Sequence, residues 1–71
     1  MICIIDEDSL QSKVYQTDLT VEDRRVKSVE LAMKLAKENN PEFKGEVQLA
    51  NRCDQKDMTI VSFKRLYKNG R

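Results

Sequence analysis

The chain has 71 residues, 39% of them hydrophobic and 35% charged, and its 13 basic and 12 acidic side chains leave a net charge of +1. A chain this short buries only about 60% of the surface its unfolded form exposes, and such proportions supply one modest core rather than two. They exclude a helical membrane span, which needs about 20 consecutive apolar residues. With no histidine and only two cysteines, they also exclude the common structural zinc patterns.

One domain over residues 1–71 is therefore expected, with stability to match: below about 70–80 residues a core rarely supplies more than ~3–5 kcal/mol. Chains of this size lean on disulfides, a metal or a second subunit. Cys3 and Cys53 stand without a framework of further pairs. The opening MICIIDED ends its short apolar run in acid, unlike a secretory leader, so a reduced, cytoplasmic setting is expected. Asp6, Glu7 and Asp8 lack the alternating ligands and turn glycine of a calcium loop and read as a solvated turn. No metal or cofactor is expected, which leaves self-association as the remaining support.

Ile2-Cys3-Ile4-Ile5 is short, β-branched and bounded by the polar stretch Asp6 to Ser9, the pattern of a buried strand. Ser12 to Leu19 alternates less cleanly and reads as its hairpin partner, with the turn inside Asp6 to Gln11. Thr20-Val21-Glu22-Asp23 then places a hydroxyl at the N-cap and a carboxylate three residues on, a capping-box variant that opens a helix. Asn39-Asn40-Pro41 ends it, because proline cannot continue the ladder and restricts the residue before it.

Beyond the stop, Gly45 opens a third strand over Lys44 to Cys53, where Phe43, Val47, Leu49 and Cys53 share the buried parity. Asp54-Gln55-Lys56-Asp57 is a connection, and Met58 to Tyr67 carries the β-rich run Thr59-Ile60-Val61-Ser62-Phe63 of a fourth strand. From about residue 68 the tail has nothing to bury and is expected to fray. The fold expected is α+β: a small ββαββ domain, an antiparallel sheet with one amphipathic helix packed on one face.

Catalysis finds little equipment. Without histidine a base near neutrality must be a strongly perturbed group. Cys3 and Cys53 lie in strand patterns where free cysteine behaves as a small hydrophobe. None of the serines sits in a nucleophile-elbow context, and two glycines make no phosphate loop. The chain is accordingly read as a non-enzyme.

The helix points elsewhere. At ~100° per residue, Val26, Val29, Ala32, Met33 and Ala36 form one stripe, the natural face for the sheet, while Leu31 and Leu35 lie roughly 120–160° from its centre. With Val21 the apolar arc spans about 220°, broader than a surface helix needs. Burying two such leucines contributes ~3–6 kcal/mol. The expectation is an accessory or regulatory protein that binds another protein or itself as a homodimer, with Leu31, Leu35, Leu66 and Tyr67 in contact and Arg24 and Lys27 at the rim. The alternative is a nucleic-acid-binding module, with Lys64, Arg65, Lys68 and Arg71 on phosphates and Tyr67 stacking on a base.

Overall fold

The computed structural model describes residues 1–66, so the expected fraying from residue 68, and the candidates Tyr67, Lys68 and Arg71, lie outside the described residues. The elements follow the expected order: β1 (Ile2–Asp6), β2 (Gln11–Tyr15), α1 (Val21–Asn39), β3 (Glu46–Asp54) and β4 (Thr59–Leu66). Thr20 Oγ1 accepts from the Asp23 amide at 3.1 Å, which satisfies one of the unpaired donors of the first turn. At the other end the Asn40 amide donates to the Ala36 carbonyl just before Pro41.

The four strands form one sheet in the order β2-β1-β4-β3. Both hairpins are antiparallel as expected, but the central β1–β4 pair is parallel, so the sheet is mixed. The cause is the placement of the two most apolar strands side by side. The helix carries the chain across between the hairpins, β1 and β4 run in the same direction, and the parallel pair takes the well-covered centre.

The core lies between the helix and one sheet face, built from Ile2, Ile4, Val61 and Phe63 of the central strands, Phe43 ahead of β3, and Leu31, Ala32, Leu35 and Ala36 of α1. Register makes the two faces explicit. Cross-strand partners share a face, so Leu49 joins Phe63 toward the helix. The register shift between Leu49 and Asn51 then bulges the strand. Past that bulge Arg52 pairs with Val61 on the helix side, whereas Cys53 pairs with Ile60 on the outer side. The shared parity expected for Phe43, Val47, Leu49 and Cys53 thus breaks at Ala50, because a bulge adds one residue and inverts every side chain after it.

Two backbone positions are tight. Leu10 takes a left-handed φ of 60° at the end of the first hairpin turn. Gly45 admits no side chain, since a Cβ there would sit 1.9 Å from the Leu66 carbonyl oxygen. Gly45→Ala must displace backbone and is expected to cost about 1–3 kcal/mol. For a domain this size that is a fall in Tm of about 4–8 °C per kcal/mol, measurable by calorimetry.

Candidate functional site

The helix is turned differently from the face its apolar residues define. Its buried positions are Arg24, Ser28, Leu31, Ala32, Leu35 and Ala36. On a helical wheel they centre near Ser28, whereas the apolar stripe centres near Val29, a rotation of about 100°, or one residue. Leu31 and Leu35, 6% and 4% exposed, pack inside the core. They therefore do not form the contact surface expected of them; the sheet of the same chain covers them. Of the stripe expected to face the sheet, Ala32 and Ala36 are buried and Met33 packs partly against the core, whereas Val26 is 76% and Val29 51% exposed.

Arg24 explains the rotation. It is not a rim residue but is only 3% exposed, enclosed by oxygen atoms. Its Nε donates to Thr59 Oγ1 at 2.8 Å, Nη1 to the Leu19 carbonyl at 3.0 Å, and Nη2 to the carbonyls of Gln55 and Lys56. Thr59 Oγ1 in turn donates to Asp54, and Asp54 is ion-paired to Arg25 and Arg52. The hydrogen bond from Thr59 and the neighbouring arginines hold the Asp54 carboxyl below its ordinary range. A buried guanidinium is tolerable only when its donors are satisfied. The oxygens come from the residue before the N-cap, the β3–β4 connection and the start of β4. One turn on, Ser28 hydrogen-bonds back to the Arg24 carbonyl at 2.6 Å, which lets a small polar side chain lie flat under the helix.

Opposite, at the C-terminal end of the helix, Asp6 is fully buried rather than part of a solvated turn. Its Oδ1 accepts from the amides of Asp8 and Ser9, and its Oδ2 from Asn39 and Arg65. Burial raises the pKa of this carboxyl, but the hydrogen bonds from Asn39, Arg65 and Ser9 outweigh it and the net shift is downward. The neighbouring acids are also committed: Glu7 accepts from Ser62 Oγ and Asp8 from the Arg65 amide. Among the described residues no three metal-binding side chains converge.

These contacts commit one member of the alternative nucleic-acid set, Arg65, while Tyr67, Lys68 and Arg71 lie outside the described residues. Arg65 is ion-paired to Asp6 and lies over the Phe43 ring at 5.7 Å, so of the set's described members only Lys64 faces solvent. Lys27, half-buried, is ion-paired to Glu30 at 3.0 Å. Leu66 is exposed, but it pairs with Glu46 on the sheet face away from the helix, so it does not join Leu31 and Leu35. Cys3 and Cys53 occupy that outer face as free thiols, on either side of Ile60. Two strand spacings, about 9–10 Å, separate them, too far for a disulfide. A polar recess of about 290 Å³ opens beside Thr17, Asp18, Lys56 and Asp57. Arg24 lines it too, but its guanidinium is held by the carbonyls above.

Besides Leu10 and Leu19 in the connections, the exposed apolar groups among the described residues lie on two surfaces. One is the outer sheet face, where Val14, Cys3, Ile60 and Cys53 form a row and Ser12, Ile5, Ser62 and Asn51 the next. Serine and asparagine interrupt it, and Cys3, Ile5 and Ile60 are already half-buried by their neighbours. The other is the solvent side of α1, where Val26, Val29 and half-buried Met33 follow one another at helical spacing between Glu22 and Lys37. Comparison with protein-family models, curated proteins and solved structures returns no match. Among the described residues no helix is long and apolar enough to cross a membrane.

Arg24→Ala is expected to lower unfolding free energy by about 3 kcal/mol, of the order of the whole stability of so small a core. Arg24→Lys should recover only part of this, since an ammonium cannot span the same fork; urea melts of both variants check it. For Asp6 the sign follows from its depressed pKa: its contribution is present above the unfolded value of 3.8 and is lost as pH falls through the lower folded value. Acid titration of stability should therefore be steeper for the native chain than for Asp6→Asn.

Proposed function

We propose that this chain is a small non-enzymatic accessory or regulatory protein that acts by binding protein through the outer face of α1. The observation that carries this reading is the pair Val26 and Val29, presented to solvent beside Met33, which itself packs partly against the core. An ordinary surface helix has one apolar stripe, directed inward. Here Val26 and Val29 lie away from it, exposed, where they contribute little to the core beneath. Contiguous apolar surface rimmed by charge is the usual mark of a protein contact, and Glu22, Glu30 and Lys37 provide the rim.

The contact expected of Leu31, Leu35, Leu66, Tyr67, Arg24 and Lys27 is thereby relocated, while the kind of activity stays the same. The reading is tested by immobilising the native chain and a Val26→Lys, Val29→Lys variant in parallel and exposing both to extract from the native host. The native chain should retain at least one protein, its own copies included, that the variant loses. Equal retention by the two, with circular dichroism showing both folded, overturns the reading.

A further inference from the structure

The charges that flank the stripe identify its occupant. Along the outer face of α1 the residues run Glu22, Val26, Val29, Glu30, Met33, Lys37, acid at the start and base at the end, with the apolar groups and Glu30, paired to Lys27 of its own chain, between. Two copies of this face laid antiparallel about a two-fold axis beside Val29 and Glu30 bring Glu22 of each chain to Lys37 of the other. The same operation sets Val26 against half-buried Met33 and places both Val29 and Glu30 close to the axis, each Glu30 carboxylate held by Lys27 of its own chain. Laid parallel, the same faces set acid against acid and base against base.

The charges at both ends are available for such pairing. The Glu22 side chain is 85% exposed, with only a long 3.8 Å contact to Arg25, and Lys37 makes no ion pair among the described residues. A small core that gains from burying a second surface supplies the driving force. We infer that the partner of this face is a second copy of the same chain, joined helix to helix in an antiparallel, isologous contact. This rests on the reading of the outer helix face as a protein-binding surface and adds the partner and its register.

A single helix-on-helix contact is smaller than a standard stable interface, so the dimer should be weak and visible as concentration dependence in sedimentation equilibrium or light scattering. Val26→Lys should abolish self-association. Val14→Lys, a control on the outer sheet face, should leave it unchanged. Glu22→Lys and Lys37→Glu each set like charges together at both ends of the symmetric contact, and each should weaken it about tenfold at low salt.

Two combinations are specific to the proposed geometry. Glu22→Lys with Lys37→Glu in one chain should restore dimerisation, and an equimolar mixture of the two single variants should form heterodimers in preference to either homodimer. A native chain that stays monomeric to millimolar concentration overturns the second-copy inference, while the capture experiment above still decides whether the face binds another protein. Loss of the dimer in Val14→Lys, with Val26→Lys unaffected, overturns the placement. If Val26→Lys dissociates the dimer but the paired charge reversal restores nothing, the antiparallel register is wrong.

Discussion

The rotational setting of α1 depends on one interaction: the burial of the Arg24 guanidinium among the carbonyls of Leu19, Gln55 and Lys56 and the hydroxyl of Thr59. A charge taken out of water must be surrounded by partners or it costs several kcal/mol. These partners are held by three separate pieces of chain. Turning the helix by one residue to bring Val29 onto the sheet would strip Arg24 of all of them at once. Once Arg24 is inward, helical spacing leaves no freedom for the rest. Ser28, Leu31 and Leu35 follow it into the interface, Ala32 and Ala36 allow close approach beside them, Met33 packs at its margin, and Val26 and Val29 are carried outward.

Asp6 performs the complementary task at the far end of the sheet. Its two oxygens gather the first hairpin turn, the last helical residue and the end of β4, elements remote in sequence that the apolar core alone does not align. The molecule is thus an apolar middle held between a buried cation at one end and a buried anion at the other. Neither clamp is an efficient source of stability, because desolvation consumes much of what the ionic contacts return. Their effect is on alignment: each is satisfied in one register of helix on sheet and unsatisfied in the neighbouring ones. With so few large side chains in the core, shape complementarity by itself discriminates weakly among such registers.

This division accounts for what was legible in the amino-acid sequence. Local signals read correctly: the Thr20 cap and the stop at Pro41, the apolar run of β1, the β-rich run of β4 and the order of the elements all depend on neighbours within a few residues. The helix phase did not, because a wheel weighted by hydrophobicity assigns arginine and serine to solvent, and here tertiary oxygens overrule it. Asp6, similarly, looks like one of three solvated acids until Asn39 and Arg65 are brought to it. The bulge at Ala50 carries no glycine to announce it, so the parity of Arg52 and Cys53 was misread. The parallel central pair follows from which hairpin edges meet, a choice that no single segment encodes.

The composition of the outer helix face bears on why it exists. Valine is a poorer helix former than lysine, glutamate or alanine, because its branched Cβ loses rotamer freedom against the preceding turn. At exposed positions such as 26 and 29, where the core gains little from the side chain, the isolated monomer would be better served by any of those three residues. Two valines at these positions therefore work against helix propensity and leave apolar surface in water. That combination is consistent with the burial of the face in a contact outside the monomer, where shape and apolar area outweigh the local cost. The phase set by Arg24 is what leaves that surface free: it turns the two leucines toward the chain's own sheet and the valines toward solvent.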